Sequence, residues 1–283
     1  MDAQLVETLL SPLVLALLGL CIGSFLNVVI HRLPMMLERG WKLDSAEMLG
    51  VKIDEPAAVT LAQPRSRCPS CGHPIAWYEN IPVVSYLVLR GKCSACKTTI
   101  SPRYPLVEVL TGALFATVGW RFGATPAALL WCSFAAVLVA LAGIDWDTTL
   151  LPDNLTLPLL WAGLVASALG WTISLPDALW GAVAGYLSLW SVYWLFKLAT
   201  GKEGMGFGDF KLLAALGAWL GLKMVLPVVL AASVLGAVVG IAMKLNSTLR
   251  EGRYVPFGPF LAGAGLVVML AGQARVLGWL GWV

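Results

Sequence analysis

Charge is scarce in this sequence. Of its 283 residues only 12% are Asp, Glu, Lys or Arg, against roughly 25% in a soluble domain. Hydrophobic residues make up 59%, and the mean hydropathy is +0.81. A soluble globular chain is excluded, because the apolar stretches are too long and too many for a water-facing core. The net charge of +3 gives no reason to invoke a nucleic-acid partner. Internal repeats and low-complexity tracts are absent. So is a dinucleotide-type glycine fingerprint, since Gly204-x-Gly206-x-Gly208 runs straight into Asp209 and follows no strand. The first apolar run is preceded by Asp2 and Glu7 rather than basic residues, and no small-residue cleavage site follows it. It reads as a retained helix and not a signal peptide.

The charges that exist are clustered. Residues 32–104 hold ten Lys/Arg and six Asp/Glu, a density near the soluble norm. The sequence therefore predicts one hydrophilic domain, 32–104, inserted between a first transmembrane helix within 1–31 and a seven-helix membrane domain, 105–283. A hydrocarbon core needs about 20 apolar residues per helix. Eight stretches approach this: 9–30, 106–120, 127–144, 155–171, 178–198, 210–222, 226–243 and 257–279, of which 210–222 is short and Gly-rich. The expected fold is thus an all-α polytopic membrane protein of about eight transmembrane helices. Alternating spans put Lys197, Lys202, Lys211, Lys244, Arg250 and Arg253 on one face, with Arg121, Lys223 and Arg275 on the other. By the positive-inside rule the first face is cytoplasmic, with both chain ends outside.

Four of the six cysteines form two CxxC pairs, Cys68/Cys71 and Cys93/Cys96, separated by 21 residues. Two such knuckles place four thiolates tetrahedrally around Zn²⁺ and leave no open position for water, so the site expected is structural. Disulfides are the alternative, and a cytoplasmic location argues against them. Cys21 and Cys132 lie in apolar runs and read as small hydrophobes.

Carboxylates at a membrane edge are costly and point to function. Asp145 closes the third span in Gly143-Ile144-Asp145-Trp146-Asp147, and Asp209 opens the sixth in Gly206-Phe207-Gly208-Asp209-Phe210-Lys211. The topology puts both at the cytoplasmic face. Two carboxylates held together share a proton, so one acts as base on water and the other as acid on a scissile carbonyl. The plainer reading is a pair of helix-end acids, Asp209 complementing a helix dipole. Gly206 and Gly208 favour a site, because they leave backbone room for an extended peptide. Asp145 and Asp147, two apart on a helix, face different ways, and Asp145 is nearer the apolar run. Asp147 and Asp153 read as solvated loop acids. Glu108, a few residues into the second span, either snorkels towards a loop Arg or serves the site.

These motifs together resemble the bacterial prepilin leader peptidase/N-methyltransferases, within the GxGD class of membrane aspartic peptidases. The 23–34 run GSFLNVVIHRLP is similar to the family's first-helix signature. The CxxC pairs, the Ser101 to Glu108 stretch, Asp145 through Pro152-Asp153, and Gly206-x-Gly208-Asp209-x-Lys211 follow in the family's order. The resemblance implies Asp145 and Asp209 as the catalytic pair, with Gly206, Gly208 and Lys211 supporting the motif. It implies that type IV prepilins and type II secretion pseudopilins are cut after the glycine that ends a short basic leader. N-methylation of the new terminus by S-adenosylmethionine would follow, with Gly91 linked to that second activity, in a multi-pass protein of the bacterial inner membrane. The methyl-donor site comes from the resemblance alone. Two other classes compete: an ion- or proton-coupled transporter using the same aspartates, and a non-catalytic secretion assembly factor docking through the cysteine module. A transporter more often shows repeats or broken mid-membrane helices.

Overall fold

The computed structural model describes residues 3–53, 58–245 and 255–282, and among these there are helices and no strand. Arg250 and Arg253, counted above for orientation, lie outside the described residues. The chain divides into two compact units, Met1–Ala128 and Leu129–Val283.

The first unit is built on two packed helices. After a short α1 (Ala3–Leu9), α2 (Pro12–Leu49) starts with Ser11 as N-cap and Pro12 in its first turn, and ends at Gly50, whose φ of 64 suits a left-handed cap. At 38 residues it is about 57 Å long, far more than a bilayer needs. The expected boundary at residue 31 is not a helix end: α2 runs on through Pro34 and takes up the amphipathic 37–48 stretch. After a 3₁₀ turn (Trp77–Asn80) and a short α3 (Val84–Val88), α4 (Arg103–Phe122) returns against α2. Small residues let the backbones meet. A Cβ on Gly23 would stand 2.7 Å from Glu108 Cα, and one on Gly19 2.8 Å from Gly112 Cα. Asn27, inside the first-helix signature, is buried and donates to the carbonyls of Gly23 (3.3 Å) and Tyr104 (3.1 Å). Arg32 donates to the carbonyls of Thr60, Leu61 and Pro64 and so fixes the approach to the cysteine module.

The second unit is a helical bundle of α5 (Pro126–Thr148), α6 (Asp153–Ala168), α7 (Leu175–Thr200), α8 (Phe207–Leu220), α9 (Leu222–Leu245), α10 (Gly258–Ala271) and α11 (Gln273–Trp279). Its centre is α8, with Asp209 and Phe210 buried and every residue from Leu212 to Leu220 buried and apolar. That is why a helix of only 14 residues is stable there. It packs against α6, α7, α9 and α10. Gly181 and Gly185 of α7 press on the backbone of Gly217 and Leu213 in α8, closer than any side chain would allow. Trp219 of α8 packs at a tilt against Trp131 and Phe134 and donates to Leu159 O at 2.8 Å.

Each of the eight expected apolar stretches is helical. Among the described residues, four helices are long and apolar enough to cross a membrane, α2, α5, α7 and α9, or five if α10 and α11, bent by 106°, count as one broken span. α4 is long enough but carries Arg103, Glu108 and Arg121, while α6 and α8 are short.

Candidate active site and metal centre

The second unit brings Asp145 and Asp209 together. Asp145 lies in the last turn of α5 and Asp209 in the first turn of α8, so antiparallel connection returns both to one end of the bundle. Both side chains are buried, at 4% and 7% exposure, and the carboxyls interact electrostatically with each other. Asp145 Oδ2 accepts the backbone N–H of Gly258 at 2.9 Å. That N–H is free for the purpose because Gly258 opens α10, where first-turn donors have no helical partner. A buried bond to a charged acceptor is worth about 1.5–3 kcal/mol. The role of Gly258 was missed from sequence, although the Gly258-Pro259 step before an apolar run marks a helix start.

Leu151 wedges between these elements. A Cβ on Gly208 would come within 2.7 Å of Leu151 Cβ, and one on Gly258 within 2.5 Å of Asp145 Oδ2. Gly208 and Gly258 are therefore required by close approach. Gly206 differs: a Cβ there would lie 3.9 Å from Asp209 Oδ2, an ordinary contact. The space beside that carboxyl is open.

Lys211 Nζ donates to both oxygens of Asp153 at 2.7 Å, tying the start of α8 to the start of α6. Asp153 is thus not simply a solvated loop acid; its place opposite Lys211 depends on a long-range pairing that local spacing does not display. Asp147 is exposed, as expected of the residue facing away from Asp145. The loop entering α8 is held from α7: Lys197 Nζ donates to Glu203 Oε1 (2.8 Å) and to Tyr193 Oη (3.1 Å), and Tyr193 packs on Phe207 and Phe210. Tyr193 and Glu203 did not stand out in the sequence, and Lys197 counted there only towards orientation.

In the first unit the four predicted thiols converge. Cys68, Cys71, Cys93 and Cys96 Sγ atoms all lie within 4.8 Å of one another. The two knuckles repeat one design. Cys68 N–H donates to His73 O and Gly72 N–H to Cys68 O; likewise Cys93 N–H donates to Thr98 O and Lys97 N–H to Cys93 O. Gly72 and Lys97 take the equivalent left-handed position, φ 72 and 60. Cys68 and Cys96 Sγ are 3.8 Å apart, which matches the edge of a tetrahedron with arms of about 2.3 Å, about 3.8 Å. The donor set fits Zn²⁺. Thr98, hydroxyl first and backbone second, holds the Cys96 thiol down to about 6, while Cys71, desolvated and beside the other thiols, is pushed up to about 11. Glu79 joins the knuckles, held below the usual carboxylate range first by Ser94 and then by the Ala76 N–H, with His73 beside it at 3.5 Å. Cys132 is buried as expected and Cys21 is exposed.

Gly91 sits at the entrance to the second knuckle with φ 66, and a Cβ there would stand 2.9 Å from Tyr86 Oη. Its backbone is bonded on both sides, N–H to Tyr86 O and O from Ile100 N–H. Glu108 is buried, and its Oε2 accepts the N–H of Val83 at 2.8 Å. Glu108 therefore ties α4 to the module.

Residues 17–122 match the bacterial peptidase A24 N-terminal domain, and residues 132–241 match the type IV leader peptidase family. The chain is 54% identical to the prepilin leader peptidase/N-methyltransferase of Stutzerimonas stutzeri over 257 residues, covering 90% of this chain and 89% of that protein. It is similar to its namesakes from Pseudomonas aeruginosa, 54% identical over 258 residues (91% and 89%), and Aeromonas hydrophila, 54% over 267 residues (91% and 90%). No solved structure matches.

Proposed function

The chain belongs to the prepilin leader peptidase/N-methyltransferase family, and from that premise we propose a bifunctional prepilin-processing enzyme of the bacterial inner membrane. It cleaves the leaders of type IV prepilins and type II secretion pseudopilins with Asp145 and Asp209, then methylates the new N-terminus. The observation that carries the peptidase assignment is two buried carboxyls at the same end of an otherwise apolar bundle, close enough for one to act electrostatically on the other.

At such a pair one proton is shared. The ionised carboxylate takes a proton from water as the water oxygen bonds to the scissile carbonyl carbon, and the protonated carboxyl gives its proton to the carbonyl oxygen. The resulting diol collapses as the C–N bond breaks: the proton held by the first carboxyl passes to the leaving amine, one diol hydroxyl returns its proton to the second carboxyl, and the pair is left with one shared proton as at the start. The Gly258 N–H fixes the orientation of Asp145 throughout. The open space at Gly206 admits the extended peptide beside Asp209. Lys211–Asp153 and Lys197–Glu203 hold the flanking loops.

Finer features complete the proposal. All eight apolar helical stretches, α4, α6 and α8 included, serve as spans, with buried α8 shielded by its neighbours. The dyad end also bears Lys197, Lys202, Lys211 and Lys244, against Lys223 and Arg275 at the other end of this unit, so it faces the cytoplasm. The four cysteines hold structural zinc, which when bound cross-links the two knuckles. Gly206 and Gly208 serve peptide access and Leu151 packing. S-adenosylmethionine is the methyl donor; two surface grooves on the second unit, lined by Leu160, Ala182 and Leu187 or by Trp161, Leu164 and Leu179, are apolar and do not fit its charged and polar parts. We derive no methyl-transfer step. The direct test is leader release from a prepilin peptide by the purified protein in liposomes, followed by mass spectrometry of the product's N-terminus.

A further inference from the structure

We infer that residues 77–88 of the cysteine module form a membrane-surface anchor, seated at the boundary between lipid headgroups and acyl chains. The surface is a lipid-binding one, distinct from the dyad and from the four thiols, and the inference rests on reading α4 as a span.

Depth comes from Glu108. It lies five residues beyond Arg103, the first residue of α4, hence about 7.5 Å along the helix at 1.5 Å per residue. A carboxylate that far into a span needs a polar partner, and its partner is the backbone N–H of Val83 at 2.8 Å. The module must therefore descend to meet it. Val83 itself holds φ 60 and ψ −47, a conformation a β-branched residue avoids. Tertiary anchoring maintains this turn, which starts α3 at that depth.

What surrounds the anchor is apolar and uncovered. Val84, Leu87 and Val88 of α3 are 54%, 67% and 75% exposed; Trp77 and Tyr78, in the adjoining 3₁₀ turn, are 76% and 59% exposed. Water-facing helices of five residues do not sustain such a surface. Amphipathic segments that lie in a bilayer interface bury their apolar face by about 5–10 Å, which is the depth Glu108 fixes. Trp and Tyr favour that zone. Exposed Arg90 and Lys92 follow α3 directly, where they suit anionic headgroups. Depth, aromatic content and adjacent positive charge agree on a lipid occupant rather than a protein.

The full chain, carrying photoreactive p-benzoyl-phenylalanine in place of Val88 or, separately, of exposed Val109 on α4, is reconstituted in phosphatidylethanolamine/phosphatidylglycerol liposomes and irradiated. Lipid adducts at both positions are expected. Lipid adducts at 109 but none at 88, or only protein adducts at 88, would overturn the anchor and leave α4 as a span. Absence of lipid adducts at both would overturn the anchor together with the span reading on which it rests. Arg90→Gln with Lys92→Gln should lower the adduct yield at 88 and leave that at 109 unchanged; an unchanged yield at 88 would remove the charge contribution from the inference.

Discussion

At the scale of single residues, the two aspartates of the Ile144-Asp145-Trp146-Asp147 stretch make a sharp comparison. Asp145 is buried and held by Gly258, whereas Asp147 is exposed. Asp145→Asn should lower leader cleavage by about 10²- to 10⁴-fold, the usual worth of a general acid or base, while Asp147→Asn retains most activity. Complete loss with Asp147→Asn and none with Asp145→Asn would exchange the roles. The motif glycines also separate. Gly208→Ala pushes on Leu151 and displaces Asp209, so cleavage should fall on the order of tenfold to a hundredfold, with partial recovery when Leu151 is also cut to Ala. Gly206→Ala fits sterically, so any fall in its activity, at unchanged thermal stability, measures crowding of the peptide. Assays of the three variants alongside thermal denaturation decide this. That Asp145 and Asp209 share one end of the bundle was legible in sequence, because ionisable groups at the end of an apolar run stand out. Their supports, Gly258 N–H and Asp153, were not legible, because backbone donors and long-range ion pairs leave no local pattern.

At the scale of elements, the cysteine module is one closed unit. Metal analysis of the intact protein should return about one Zn²⁺ per chain, four thiolates making one closed site. Cys68→Ser or Cys96→Ser should lower that content and loosen the module. Metal-free protein with unchanged melting and four freely reactive thiols would contradict it. The knuckle spacing alone foretold the cluster, since a short loop with two bonded turns leaves a CxxC pair little other geometry. Gly91 was assigned by resemblance to methylation, but its φ of 66 and the Tyr86 ring give it a structural duty as well. Gly91→Val should cost about 1–3 kcal/mol of local strain, while Gly91→Asn, which tolerates the left-handed region, should cost much less. If Gly91 matters for methylation beyond its turn, the Asn variant folds and cleaves yet leaves the product unmethylated. A fully methylated product would reduce Gly91 to a turn residue. Element boundaries were the least legible feature. The 37–48 stretch is amphipathic, with no stop signal in sequence, and α2 continues through it to Leu49.

At the scale of the whole molecule, composition pointed to an all-helical membrane protein, and the apolar stretches are helical, though 257–279 is broken into α10 and α11. The number of crossings was harder to read. A short helix such as α8 is stabilised by tertiary burial, and no window of hydropathy distinguishes that from a full span. In the proposed enzyme this burial would serve chemistry, because an apolar bundle holds the two buried acidic groups at one end. The most direct test is leader release from a prepilin peptide by purified Asp209→Asn in liposomes, with folding verified by an unchanged melting profile. The account predicts no cleavage, since an amide can neither share nor relay the proton. Cleavage at a near wild-type rate would contradict the dyad outright.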